Sequence, residues 1–281
     1  LSLTLGGGEV MMTDMATAFG VFANTGLKKD LVSILKVEDH NAKVLEEFKD
    51  PNFKKDLQKL DAPSTLAIAG PRVLSTETSF LISHILLDNN GRSAAFGTDS
   101  YLVIPNHAVS VKTGTTDDKR DNWTIGFTPN FLVATWVGNN DNQPMNPALT
   151  SGITGAAPIW HKIMVKVLEK QTDLWPKKPE GVVGAQICAV SGLNPGDPAT
   201  CPTRFEYFLQ GTVPTQVENL KRNILVEKGT DREAALIQDP ANPLPNDNLE
   251  TKEKQVLSDP FTPEYCLDCP HDGDRPVIVK Q

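Results

Sequence analysis

Residues 123–128 and 131–137 are two runs rich in β-branched and aromatic side chains, parted only by the turn-forming pair Pro129-Asn130. Such a spacing demands an antiparallel hairpin, because a two-residue connection leaves no room for a crossover. A third strand is predicted just upstream, over residues 107–113. A helix follows downstream, starting at Pro158, a residue suited to the first helical position, and running to about residue 169. Ile159, Ile163 and Val167, with Trp160, Met164 and Leu168 beside them, give that helix a broad apolar face. Helices around an antiparallel sheet make an α+β domain.

Earlier elements fit the same class. Residues 13–24 read as a helix with Met15, Phe19 and Phe22 at helical spacing, and Gly26 follows as its C′ glycine. Residues 31–37 and 43–48 read as short strands around the polar turn Asp39-His40-Asn41. A helix over residues 75–88 takes Ser75 as N-cap, presents Phe80, Ile82, Ile85 and Leu86, and stops at Asn89-Asn90-Gly91.

After Trp175-Pro176 helical periodicity fades, and the 21 prolines of the chain crowd toward its end. A boundary is placed there, giving residues 1–175 as one domain and 176–281 as a small β-rich extension. Its predicted strands lie at residues 182–189 and 223–227, and residues 238–249 read as an irregular crossing. Four cysteines form two local pairs, Cys188 with Cys201 and Cys266 with Cys269. Disulfides or free thiols are favoured over a zinc site, since the first pair is too widely spaced for a zinc knuckle. A Cys188–Cys201 bridge would contribute about 3 kcal/mol. A net charge of −8 argues against a nucleic-acid surface or a polybasic membrane patch. No apolar run reaches the roughly eighteen residues of a membrane span.

The stretch that carries chemistry is His107-Ala108-Val109-Ser110-Val111-Lys112-Thr113-Gly114-Thr115-Thr116. Lys112 supplies positive charge, the hydroxyls of Thr113 and Thr115 donate hydrogen bonds, and Gly114 admits a second backbone. That set suits a peptide ending in a carboxylate. Period-two alternation places Lys112 opposite Val111 and Thr113, so both kinds of group can serve one site only along the strand's edge.

Lys112-Thr113-Gly114-Thr115 resembles the substrate-strand box of penicillin-binding transpeptidases. Residues 1–10, ending Gly6-Gly7-Gly8-Glu9-Val10, resemble the segment after that family's second motif. Residues 123–138 resemble its hairpin, and Gly155-Ala156-Ala157-Pro158-Ile159-Trp160 its closing helix. Residues 188–214, with Phe205-Glu206-Tyr207-Phe208, resemble the cysteine-bearing tail of the class A, bifunctional members. The resemblance covers residues 1–170 closely and 171–215 less so. It implies part of a β-lactamase/transpeptidase-like fold, an antiparallel sheet flanked by helices.

It also implies a serine acyl transfer on peptidoglycan stem peptides ending in D-Ala-D-Ala, with β-lactams acylating the same serine. Lys112 is then catalytic, Thr115 gives its backbone N–H to the oxyanion hole, and Thr113, Gly114, Thr115 and Thr116 bind substrate. Losing one oxyanion donor costs about 3–4 kcal/mol in the transition state. No cofactor, metal or nucleic acid is implied. The location is the outer face of the bacterial membrane or the periplasm, reached through an N-terminal anchor and beside a glycosyltransferase domain, neither within these residues.

The family nucleophile lies in Ser-x-x-Lys at a helix start, followed by Ser-x-Asn. Ser33-Ile34-Leu35-Lys36 fits the first pattern literally, but it falls in a β-rich run and in the wrong order along the chain. Serine and lysine must sit one helical turn apart for the proton transfer. Ser-x-Asn does not occur. The chain is therefore expected to be the C-terminal portion of such a protein, with no nucleophile of its own and inactive alone. A D-Ala-D-Ala carboxypeptidase or β-lactamase relative, or a non-catalytic wall-binding module, are the competing readings. His84 and His161 read as helix-surface residues, Trp123 and Trp136 as core, and residues 117–121 as a solvated charged loop.

Overall fold

The computed structural model describes residues 8–49, 70–146, 153–196, 201–231, 248–259, 262–270 and 277–278. The chain divides into two compact units, Leu1–Glu180 and Gly181–Gln281.

The first unit runs α1 (Met12–Ala23), β1 (Lys36–Glu38), β2 (Val44–Glu47), α2 (Thr76–Leu87), α3 (Asn89–Phe96), β3 (Ser110–Thr115), β4 (Asp121–Phe127), β5 (Leu132–Gly138) and α4 (Ala156–Leu168). Strands β3, β4 and β5 form an antiparallel sheet in that order, so among the described residues β3 lies at an edge. The unit is α+β, an antiparallel sheet flanked by helices.

The sheet is a middle layer. On one face, Val109 and Val111 join Ala157, Trp160, Met164 and Leu168 in the main core, with Leu102 and Ile104. Gly126 makes this packing feasible, because a Cβ there would lie 2.4 Å from the Trp160 ring. On the other face Phe127 stacks with Phe22 and meets Phe19 edge-on, at centroid distances of 6.4 and 6.3 Å. Ser79 and Ser83 are the small buried residues that let α2 approach the sheet.

Several expectations need correction. Helix α4 begins at Ala156 with Gly155 as N-cap, so Pro158 is its third residue, still within the first turn, where N–H groups lack partners. Its buried stripe is Ala157, Trp160, Met164 and Leu168, whereas Ile159 and Ile163 are 48% and 42% exposed. The bulk of Trp160 chose the stripe, since it seats on the flat patch at Gly126. Asn89-Asn90-Gly91 does not end helical structure; it opens α3, because the Asp88 side chain accepts the Gly91 N–H and restarts a helix there. Ile85 on α2 is exposed rather than core.

Gly26 sits one position beyond C′. Thr25 takes the left-handed C′ place with φ 54°, and the Gly26 N–H reaches the Val21 carbonyl at 2.8 Å, a Schellman closure. Gly26 is nonetheless required, since a Cβ there would meet the Leu74 carbonyl oxygen at 2.1 Å. Residues 31–35 are irregular, and β1 starts only at Lys36. The predicted strand over residues 107–113 begins at Ser110 and continues through Thr115.

The second unit holds the antiparallel pair β6 (Val182–Cys188) and β7 (Thr203–Leu209). It also holds β8 (Lys221–Glu227), β9 (Leu249–Asp259), β10 (Thr262–Cys266) and β11 (Val277–Ile278), in the sheet order β11-β10-β9-β8. Cys188 is bonded to Cys201 and Cys266 to Cys269, each pair with Cα atoms 5.6 Å apart. The first disulfide packs with Leu220, Leu257 and Leu267, so it serves as core as well as cross-link. Most of the predicted crossing at residues 238–249 lies outside the described residues.

Candidate active-site strand

Strand β3 alternates as its sequence requires. Val111 and Thr113 are buried toward α4, while Lys112 between them is exposed on the opposite face. Gly114 and Thr115 are exposed at the strand's end. Ser110 shares the Lys112 face but is buried, its hydroxyl donating to the Ser83 carbonyl of α2 at 2.7 Å.

The ladder decides where main-chain groups point. Thr116 donates its N–H to the Asp121 carbonyl at 3.1 Å. Directly opposed residues of an antiparallel pair alternate between bonded and non-bonded. Lys112 and Gly114, opposite Ile125 and Trp123, therefore spend their amides on β4, whereas Val111, Thr113 and Thr115 direct theirs to the open edge. The Lys112 ammonium curls round to that edge and donates to the Thr113 carbonyl at 2.5 Å. One short edge thus carries a cation and the Thr115 N–H, with the exposed Thr115 side chain at the strand's end.

The end of the strand is held by its neighbours. The Thr116 hydroxyl oxygen accepts the N–H groups of Arg120 and Asp121 at 2.9 and 3.0 Å, closing a tight turn in which Lys119 has φ 56°. The Thr116 side chain is therefore part of the turn rather than displayed along the edge. The Thr115 hydroxyl oxygen accepts from Asn122 Nδ2 at 2.9 Å, and Asn122 Oδ1 accepts the Ala156 N–H of α4 at 2.6 Å. Sequence reading did not single out Asn122, because its role depends on the β3–β4 register and on where α4 starts.

Residues 178–222 match the family described as "Penicillin-binding protein 1A, C-terminal domain". Penicillin-binding protein 1A of Clostridium botulinum is 30% identical over 226 residues, 79% of this chain and 24% of that protein. Penicillin-binding protein 2D of Bacillus subtilis is 29% identical over 219 residues, covering 77% of this chain and 28% of its own length. The crystal structure of penicillin-binding protein 1A from Haemophilus influenzae superposes with a TM-score of 0.60 at 26% identity, over 78% of this chain and 35% of that one. The chain is similar, over most of its length, to a C-terminal portion of the class A penicillin-binding proteins. It spans about a quarter of the length of the curated relatives it matches.

In this chain Ser33 is exposed in irregular backbone ahead of β1, and Lys36 pairs with Glu38 at 2.5 Å. Strand β1 does not reach Ser33, but the helical turn that a Ser-x-x-Lys pair needs is missing all the same. Cys266, Asp268 and Cys269 lie close together, yet the two sulfurs are bonded to each other and are not thiolate ligands.

The remaining candidates have structural partners. His161 Nδ1 lies 3.0 Å from the Tyr101 carbonyl, and the His84 ring packs on Phe80. Trp123 and Trp136 are half-buried and directly opposed across β4 and β5, with Trp136 Nε1 donating to Asp121 at 2.9 Å. A cavity of about 480 Å³ is lined by Leu102, Ile104, Val109, Arg92 and Asp173. Its charges hold backbone: Asp173 accepts the Ala108 N–H at 2.7 Å, and Arg92 donates to the Leu86 carbonyl at 2.8 Å. Burial pushes the Arg92 guanidinium below its ordinary pKa, against the opposing pull of Asp88. No helix among the described residues is long and apolar enough to cross a membrane.

Proposed function

We propose that β3 is the substrate-binding strand of a serine transpeptidase that cross-links peptidoglycan stem peptides and is acylated by β-lactams. The observation that carries this reading is the open edge of β3, where the Thr115 N–H and the Lys112 ammonium meet. The stem peptide lies along that edge as an added strand. A serine oxygen, contributed by sequence outside these residues, bonds to the penultimate D-Ala carbonyl carbon. The C–N bond to the terminal D-Ala then breaks and that D-Ala leaves with a proton. An amine of a neighbouring stem peptide forms the new amide and releases the serine.

Thr115 gives its N–H to the developing oxyanion. Lys112 offsets the substrate carboxylate and supports proton movement. Thr113, Gly114 and Thr115 bind the peptide end, with Thr116 shaping the turn behind them. The proposal sets this chemistry on the extracytoplasmic side of the membrane, in a polypeptide that also carries a membrane anchor and a glycosyltransferase domain.

The test is covalent labelling with a fluorescent penicillin. The intact protein is expected to be acylated at a Ser-x-x-Lys serine, and the 281-residue chain alone to stay unlabelled. A stable adduct on Ser33 would overturn the assignment of an external nucleophile. Absence of labelling in the intact protein would favour a non-catalytic wall-binding module.

A further inference from the structure

Asn122 is fully buried at 0% exposure, though nothing in the reaction proposed above uses it. It sits directly across from Thr115 at a non-hydrogen-bonded position of the β3–β4 ladder, where opposed side chains come closest. Its amide is orientationally determined. The Ala156 N–H can only donate, so the atom it meets at 2.6 Å is the carbonyl oxygen of Asn122. The NH2 group must then face Thr115, and it donates to the hydroxyl oxygen at 2.9 Å. Gly155 keeps this arrangement open, because a Cβ there would lie 2.5 Å from Asn122 Oδ1.

The consequence falls on Thr115. A threonine hydroxyl has one proton to give and two lone pairs. With a lone pair held by Asn122, its proton is left to be donated outward, on the same exposed residue whose N–H faces the open edge. Thr115 is thereby a donor twice over. We infer that Asn122 is a positioning residue that locks the Thr115 hydroxyl as a hydrogen-bond donor and so tunes this edge to acyl donors bearing a free carboxylate. The inference rests on the transpeptidase reading, and it extends that reading from the strand to the residue behind it.

The experiment compares acylation rates of the intact protein with a penicillin and with its methyl ester, which keeps the ring and loses the anion. Asn122→Asp preserves shape and still accepts from Ala156, but its second oxygen draws the Thr115 proton inward. Acylation by the free-acid penicillin is expected to fall roughly tenfold to a hundredfold, the worth of a hydrogen bond to a charged acceptor. The rate with the ester is expected to stay within about twofold, because no charged acceptor is lost there.

Asn122→Ala is the charge-free second variant, expected to lose several-fold on the free acid only, and to add nothing to the loss in a Thr115→Val background. Equal losses on acid and ester, no loss on either, or additive losses in the double variant would each overturn the lock. If the unmutated protein is acylated by neither compound, the transpeptidase reading itself falls, and the lock with it.

Discussion

Ser110 and Lys112 share one face of β3, yet the Ser110 hydroxyl is spent on the Ser83 carbonyl at 2.7 Å while Lys112 projects from the same face into the open. The first pins the strand's start to α2, and the second stays exposed and turns its ammonium onto the Thr113 carbonyl at the open edge. Ser110→Ala is expected to cost about 1 kcal/mol by chemical denaturation, the net worth of one buried hydrogen bond. Lys112→Ala, by contrast, should leave stability within about 0.5 kcal/mol, as an exposed residue would. In the intact protein it should slow penicillin acylation by orders of magnitude, and a normal rate would remove Lys112 from the site.

Gly126 and Trp160 are a matched pair. A methyl group on Gly126 would lie 2.4 Å from the indole, so the ring must shift or the sheet must bend. Gly126→Ala should destabilise the first unit by about 1–3 kcal/mol. Trp160→Ala should cost about 3–5 kcal/mol. The double variant should lose less than the sum, because removing the ring removes the clash, and a double-mutant cycle by denaturation reads this coupling.

The Cys188–Cys201 disulfide closes a sequence separation of 13 and is buried in the core of its unit. Replacing both by Ser should cost about 3 kcal/mol from the unfolded chain's regained freedom. Cys266→Ser with Cys269→Ser, closing a separation of only 3, should cost less. Denaturation under oxidising conditions separates the two, and equal costs would contradict the loop-length argument.

Asp231 accepts from Lys252 and from Lys254 at 3.1 Å, and these hydrogen bonds hold its carboxyl below the ordinary carboxylate range. Its contribution is full above the unfolded carboxylate pKa and lost as pH falls through the lowered folded value. Lys252 is raised, first by Asp231 and then by Glu250. Its contribution is full below the unfolded lysine pKa and lost as pH rises through the raised folded value. Thermal unfolding of Asp231→Asn should therefore match the parent chain in strong acid and fall slightly below it near neutrality. Salt should shrink the gap, since Asp231 and Lys252 are still partly open to solvent.

Much of the architecture was legible because it depends on neighbours in sequence. The hairpin around Pro129-Asn130, the Ser75 cap and the Lys112-to-Thr115 order each need only a few consecutive residues. The misreadings came where distant contacts chose between local options. The α4 sequence offers two apolar stripes, and only the flat seat at Gly126 selects Trp160 over Ile159 and Ile163. Asn89-Asn90-Gly91 is a plausible stop, and the Asp88 side chain turns it into a start.

The same division runs through the candidate site. Strand periodicity, a property of the chain itself, put Lys112 on one face and Thr113 on the other, and composition supplied the cation and hydroxyls. Which amides face outward was decided by the Thr116–Asp121 pairing, and the direction of the Thr115 proton by Asn122 and the first turn of α4. Those are contacts across 5, 7 and 34 residues of sequence, and no local pattern encodes them. Donor and acceptor polarity at an edge is a property of registered strands, so it exists only once the sheet and its helix have come together.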